Sequence, residues 1–471
     1  MSRPNGSATR KSASRGTTRA IRRTDSRSGC APATRLRPAK SDSRPATWRA
    51  TRSTAVSNWT YRFGVCADGR KGSSEIVYAP ALELEDLTSP GIAFVGESTA
   101  TESCIAFRYA PRNTAQARNV SCGICWSADH TPTVEDMRQD GPALDGTQPV
   151  MQVISNVLLE YGRPYRFRAY VRADNKTYYS DEIVASLGTE PEAIKLTWKK
   201  LDMPTLPSEI SVYETTDKVG GHNFHAWYAV ADVTGSVELR VSVPDAKATI
   251  DKQSASFGGD CYVMTNAGYF YSSDHVGIAV VDSRSIGYIP DMRGSLRTQD
   301  AEYQVMYHAT RGIFGVGADG KPGVYWTGTN GSNYYYDRPL PSVRGEAKYG
   351  GVSTSNPAKP LGWSPHYAIS AGPVLLKDGK CPFDFTLTEK GTEYYLNNYE
   401  IIPYDIFGPT VSPDRTAVGH LADGRVVLFI CDGRIAASGG ATLTQLARIL
   451  RGIGCTDALN LDGGGSTGMM V

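Results

Sequence analysis

The residues best suited to chemistry stand together near the end of the chain, in Ala458-Leu459-Asn460-Leu461-Asp462-Gly463-Gly464-Gly465-Ser466-Thr467. A short apolar run ends in a carboxylate, and three glycines and two hydroxyls follow. Such a run reads as a buried strand that delivers an acid to its carboxyl end and opens into bare backbone, where glycines permit positive φ and let N–H groups approach a ligand closely. Upstream, a second apolar run from Val426 to Ile430 is followed by Asp432-Gly433-Arg434. Between the two runs, Thr442 and Gln445 have the spacing of a capping box, and Leu443, Leu446, Ala447, Leu450 and Ile453 recur at helical spacing. Gly452 and Gly454 lie where that helix would stop.

Strand, helix and strand in so short a span form a βαβ unit, whose strands run parallel because the helix carries the chain back. Asp432 and Asp462 are therefore expected on one edge of one sheet, the edge where ligands bind in open α/β sheets. The plainer alternative makes Asp432-Gly433 an ordinary turn and the triple glycine a flexible tail. A third reading takes Asp462 to Thr467 for a phosphate loop. It lacks the Gly-Lys-Ser/Thr ending and a following helix.

The 471 residues suffice for two or three domains. Charge is unevenly spread. Residues 1–60 hold fourteen Lys and Arg against two Asp and Glu, leaving 36 basic and 46 acidic residues in the other 411. That first segment is rich in Arg, Ser, Thr, Ala and Pro and cannot bury enough apolar surface to fold, so it is expected to be a disordered basic tail, or a start assigned upstream of the true one. Only Trp48 and Trp59 could stack on bases, so a nucleic-acid partner is not expected. No apolar core of a signal peptide appears there, and no run of apolar residues is long enough to span a membrane. Nine cysteines, scattered and odd in number, do not imply a disulfide framework, and the lone Cys122-Gly-Ile-Cys125 is expected to be structural.

Over residues 85–190 the chain reads as short strands, clearest at Cys104–Tyr109, Val120–Trp126, Val150–Leu158 and Tyr165–Val171. In the last, Tyr165, Phe167, Ala169 and Val171 alternate with Arg166, Arg168 and Arg172, one face buried and one wet. The segment from Gly162 to Ser180 resembles the late strands of fibronectin type III domains, with Tyr165 as corner tyrosine. The resemblance implies an all-β, fibronectin- or Ig-like sandwich acting as spacer or docking module. Gly188 to Glu192 then reads as a linker.

Residues 194–471 alternate apolar strands with glycine-rich loops. Trp227–Val233 and Val237–Val243 are expected strands, and Cys261–Met264 leads into Asn266-Ala-Gly268-Tyr-Phe270. Tyr367 to Lys380 reads as two strands broken at Gly372-Pro373, with a turn at Asp378-Gly379. Together with Arg415-Thr416-Ala-Val-Gly-His420, Asp423-Gly424, Asp432-Gly433 and the Asn460 to Ser466 block, these resemble, in order, the successive motifs of the phosphodiester glycosidase family. The resemblance implies an α/β domain, a mixed sheet with helices, that removes a sugar from a sugar-1-phosphodiester. In the animal member of the family that sugar is N-acetylglucosamine. It also implies a secreted, periplasmic or cell-surface location. The alternative is a non-catalytic carbohydrate-binding surface protein using the same pocket.

Breaking that bond passes through an oxocarbenium-like state, which carboxylates stabilise, and releases a phosphate, which cations and N–H donors receive. Under the resemblance, Asp462 is the carboxylate nearest the reacting carbon, Arg415 meets the phosphate and Asp432 is the second acid. Arg434 and the Gly463, Gly464 and Gly465 backbone complete the phosphate cradle. Asn266, Gly268, Thr416, Asn460, Ser466 and Thr467 line the substrate or fix the loops. His420 is a further candidate, although a structural role fits its place before a turn. His222 and His225 have the spacing of a metal pair without a third ligand and are read as structural; loop carboxylates could hold a divalent cation, and the residues leave the need for one open. Members of the family continue beyond the Asp-Gly-Gly-Gly-Ser-Thr block with a further strand or two, so a closing strand is expected to be missing here.

Overall fold

Residues 91–187 fold as two facing antiparallel sheets. In one, Cys104–Arg112 pairs with Gly91–Phe94, Thr99–Ala100 and Val150–Ser155; the other joins Lys176–Tyr179, Tyr165–Ala173, Ser121–Ser127 and Met137–Asp140, with Ile183–Ala185 also on Tyr165–Ala173. Ile105, Phe107, Ile124, Trp126 and Phe167 fill the space between them. Tyr165, Phe167, Ala169 and Val171 point inward as their alternation requires. The Tyr165 hydroxyl accepts the Glu160 N–H at 3.2 Å. Cys122 and Cys125 lie three apart on one strand, hence on opposite faces, and burial pushes their thiols up to about 11 and about 12. The structure is a computed structural model that describes residues 64–65, 77–78, 89–141, 149–257, 261–272, 274–289, 291–297, 302–308, 310–330, 332–338, 361–382, 400 and 411–471. The basic stretch 1–60 lies outside them.

The second region is built on a seven-stranded sheet. Its order is Lys199–Lys200, Ile210–Thr215, Ala226–Ala231, Val426–Cys431, Arg415–Leu421, Cys455–Asn460, Val374–Leu376, every adjacent pair antiparallel. Val426–Cys431 and Cys455–Asn460 therefore run parallel, but not as neighbours: Arg415–Leu421 lies between them. The helix Leu443–Ile453 returns the chain, with the Thr442/Gln445 capping box formed and Gly454 ending it at φ 108°. One face of the sheet packs Ala417, Val427, Phe429 and Ala458 against this helix. The other packs Val418, Val426 and Leu459 against a six-stranded sheet that includes Gly277–Val281, Arg311–Val316 and Tyr367–Ala371. Burial on both faces is why Val426 to Ile430 is an unbroken apolar run.

Sheets dominate this region. Among the described residues the α-helices are Ile250–Ser256 and Leu443–Ile453, so the α/β character expected of residues 194–471 reduces to one crossing helix. The expected strand Val237–Val243 belongs to no ladder, although Leu239, Val241 and Val243 pack on the core as its alternation demands. Cys261–Met264 is displaced to Met264–Thr265, which pairs with Met469–Met470.

The expected linker is pinned down. Arg451 pairs with Glu190 and donates to the Pro191 carbonyl at 2.9 Å, and the Ile194 N–H reaches the Arg448 carbonyl at 3.0 Å. Gly452 is inside the helix rather than at its stop, and a Cβ there would lie 2.0 Å from the Ile194 carbonyl oxygen. Gly452→Ala should gain roughly 1 kcal/mol of helix propensity yet lower the melting temperature, because backbone blocks the added methyl. A raised melting temperature would show that the linker does not hold this helix.

Candidate functional site

Arg415 stands opposite Cys431 and Ala417 opposite Asn460, so Asp414 lies between the two acid-bearing strand ends. Its side chain accepts from the Gly433 N–H at 3.1 Å and from Arg434 Nη2 at 2.7 Å, and its carbonyl accepts from the Gly464 N–H at 2.9 Å. One residue thus fastens both loops. Arg434 holds φ 60°, and a Cβ on Gly433 would lie 2.4 Å from the Asp414 nitrogen, which excludes any larger residue.

Asp462 is half-buried. Its N–H donates to the Ala267 carbonyl at 2.9 Å, its carbonyl accepts from Asn266 Nδ2 at 2.7 Å, and its Oδ1 accepts from the Gly463 N–H at 2.9 Å. Burial raises the carboxyl above the usual aspartate range, opposed by Ser466, the Gly463 N–H and the charge of Lys247. Asp462, Ser466 and Gly268 line a cavity of about 950 Å³ between the two sheets. A Cβ on Gly268 would lie 3.0 Å from His275 Cε1 and from Ile369 Cδ1.

The other expected residues divide by position. Asn266 Oδ1 accepts from Thr416 Oγ1 at 2.7 Å and from the Gly468 N–H at 3.2 Å, and Thr416 Oγ1 lies 3.4 Å from that of Thr467. This network ties the strand ends together. Asn460 is buried and donates to the Gly372 carbonyl at 2.8 Å, beside the cis Gly372-Pro373 bond. The buried Arg415 donates to the carbonyls of Ala441 at 3.0 Å and Val411 at 3.1 Å, and burial lowers it to about 10. Gly463 and Gly464 N–H groups are engaged within the protein, while a side chain on Gly465 would meet open space. His420 is not brought to this edge. It lies five residues along its strand from Arg415, roughly 17 Å away, with Nε2 3.5 Å from Asp457.

Asp432 meets a different set of partners: its Oδ2 is 3.7 Å from His225 Nδ1, whose Nε2 is 2.9 Å from Glu214. His222 belongs to a separate hairpin with Lys218–Val219. Among the described residues no group of three or more His, Cys, Asp or Glu could hold a metal ion.

Sequence reasoning missed Asp414, Lys247 and Glu400. Asp414 adjoins the Arg415 motif, and its place between two acid loops could have been read had the inserted strand been foreseen. Lys247 sits in an irregular stretch with no motif, its Nζ 4.3 Å over the Phe270 ring. Glu400 is buried, accepts the Val374 N–H on Oε2 at 2.9 Å, and would lie 2.9 Å from a Cβ on Gly372. Burial pushes its carboxyl up to about 7 against the Val374 N–H and the charge of Arg311.

Two outcomes are expected. Asp414→Ala should cost about 1–3 kcal/mol in urea denaturation through the loss of its Gly433 and Arg434 bonds; a smaller loss would mean the loops hold themselves. Glu400, raised in the native state, contributes stability that is full below about pH 4.5 and is lost as pH rises through about 7, a fall of roughly 3 kcal/mol. Relative to wild type, Glu400→Gln should therefore gain across that window, and a pH-independent difference would contradict the buried acid.

Residues 260–471 match the family described as phosphodiester glycosidase. No curated protein matches the chain. Among solved structures, the catalytic domain of zebrafish N-acetylglucosamine-1-phosphodiester alpha-N-acetylglucosaminidase, auto-inhibited by its pro-peptide, is 18% identical over 59% of this chain and 78% of that one, with TM-score 0.34. A hypothetical protein from Synechocystis is 12% identical over 81% and 77%, with TM-score 0.32. A Burkholderia pseudomallei protein is 14% identical over 81% and 92%, again at 0.32. Residues 260–471, a little under half of the chain, are thus similar to the phosphodiester glycosidase family.

Proposed function

We propose that this protein hydrolyses the glycosidic bond of a sugar-1-phosphodiester, N-acetylglucosamine being the first sugar to try, and releases the sugar and a phosphate monoester. The observation that carries the reading is Asp462, a half-buried carboxylate raised by its surroundings and set at a cavity with Ser466 and Lys247 beside it. The bond that breaks joins the anomeric carbon to the phosphate oxygen. As it lengthens, positive charge grows on the sugar and negative charge on the phosphate. Asp462 meets the first, as stabilising charge or nucleophile, and water supplies the hydroxyl that completes the sugar.

A phosphate leaves readily, so cations matter more for it than a strong acid. We give that part to Arg434, whose side chain is 62% exposed, and to Lys247, rather than to Arg415, whose guanidinium is committed to two backbone carbonyls. Arg415 then positions the loops. Asp432, coupled to His225 and Glu214, is the second acid. Gly465 offers the open backbone of the triple glycine, and Asn266, Asn460, Thr416 and Thr467 hold the strand ends in register. His420 serves the Asp457 pair. The sandwich over residues 91–187, with its tyrosine corner, is a fibronectin-like spacer. A secreted or surface location fits a polymer-bound or surface glycan substrate; among the described residues no helix is long and apolar enough to cross a membrane.

The full chain and its Asp462→Asn form should be incubated with a panel of sugar-1-phosphate esters and assayed for free sugar. The expected result is release by the first and a loss of roughly 10²–10⁴-fold in the second. Equal rates would remove Asp462 from the chemistry, and no release from any ester by the folded chain would remove the reading.

A further inference from the structure

The hairpin that pairs Phe270–Tyr271 with Asp274–His275 carries two exposed aromatic side chains. Neighbours on a strand point to opposite faces, and the cross-strand pair Phe270 and His275 lines the cavity that holds Asp462, whereas Tyr271 and Asp274 do not. Phe270 is 42% exposed and joins none of the hydrophobic clusters among the described residues, although Tyr269 beside it packs against one. A single exposed apolar side chain is ordinary on a surface. This one stands in the wall of the candidate site.

The face of its ring carries the negative side of the aromatic quadrupole, and a cation already rests on it: Lys247 Nζ lies 4.3 Å from the centroid. The same ammonium acts on the Asp462 carboxyl. Ring, ammonium and carboxylate therefore stand together in one cavity. A pyranose ring with equatorial hydroxyls complements such a surface, because its faces present weakly positive C–H groups while its hydroxyls point outward from the rim. The cavity wall includes Ser242, Thr249 and Gln253, which suits a ligand rimmed with hydroxyls. Sugar and phosphate are joined through one oxygen, so one ligand can lay the first on the ring and give the second to the ammonium. Charge attracts charge more strongly than it attracts a ring face, which draws Lys247 toward the phosphate.

We propose that Phe270 is the platform on which the sugar of the substrate lies, with Lys247 leaving the ring for the phosphate when the substrate enters. The proposal rests on the glycosidase reading for the reaction and adds the residue that recognises the sugar. Phe270 touches the sugar's C–H face and takes no part in moving protons or electrons, so it contributes alike to the bound substrate and to the transition state.

The test uses the full chain, Phe270→Ala, Phe270→Leu, Phe270→Trp and, as control, Tyr271→Ala, with the methyl ester of N-acetylglucosamine-1-phosphate. Free sugar is assayed, and binding of the same ester is measured by calorimetry. Removal of the ring should raise KM roughly tenfold with kcat nearly unchanged, the pattern of lost uniform binding. Phe270→Leu, apolar but without a ring face, should resemble Phe270→Ala; Phe270→Trp and Tyr271→Ala should resemble wild type. If Phe270→Ala does not fold, the Leu and Trp variants decide. Equal KM for wild type and the Leu variant would overturn the platform and leave the glycosidase reading standing. Calorimetric binding that weakens in the Leu variant, without hydrolysis by any form, would uphold the platform and remove the glycosidase reading. Neither binding nor hydrolysis would overturn both.

Discussion

The pairing of Arg415–Leu421 with a strand on each side is the constraint on which the site depends. Because it is antiparallel to both Val426–Cys431 and Cys455–Asn460, it begins where they end. Three chain segments therefore meet at one edge, and the residue that precedes the middle strand, Asp414, falls between the loops that follow the other two. A pair of parallel neighbours joined by a helix would have set Asp432 and Asp462 side by side with nothing between them. The inserted strand separates them and supplies the acceptors that hold both loops. The Gly433 and Gly464 N–H groups and the Arg434 guanidinium all use it. Buried backbone groups demand partners, and here one residue meets several of those demands.

The same logic explains why so many of the residues that look chemical turn out to be fasteners. Asn266, Thr416 and Asn460 have side chains whose hydrogen bonds run to backbone, to one another or to the hydroxyls of Thr467 and Tyr269. Arg415 is buried and donates to two backbone carbonyls, which offset only part of the penalty that burial places on its charge. What remains turned toward the cavity or the solvent is a shorter set: Asp462, Ser466, Lys247 and Arg434. Asp462 is thus a carboxylate whose position the fold fixes, with the longer side chains of Lys247 and Arg434 near it, the first over the Phe270 ring and the second paired with Asp414.

Much of this was legible in the sequence where local chemistry decides the outcome. The capping box at Thr442, the αL stop at Gly454 and the inward alternation of Tyr165 to Val171 depend only on residues near in sequence, and all three are found. The ends of Val426–Cys431 and Cys455–Asn460 fall on one edge because a helix must return the chain. What lay hidden was tertiary. Nothing near Gly452 announces that Ile194 will lie against it, so a glycine that admits a neighbour read as a glycine that ends a helix. The insertion of Arg415–Leu421 between the acid strands depends on pairing across the chain, and with it went the role of Asp414. The period of Val237–Val243 was read correctly, but alternation reports which side is buried and not whether a ladder forms.

That last segment bears on how the site is divided. At the acid edge nearly every backbone group near Asp462 is tied: Gly463 and Gly464 through their N–H groups, Asp462 through both N–H and carbonyl. Along the cavity wall, by contrast, the stretch carrying Leu239, Val241 and Val243 adheres through side-chain packing, with no ladder among the described residues. Apolar contacts are non-directional, whereas ladder bonds set register. A wall held by the first kind can shift without disturbing a carboxylate held by the second. Local stability follows the same division, since segments secured by few backbone bonds open at lower cost than those inside a sheet. Precision is thus concentrated at the edge that carries Asp462, and tolerance along the wall that carries Leu239, Val241 and Val243.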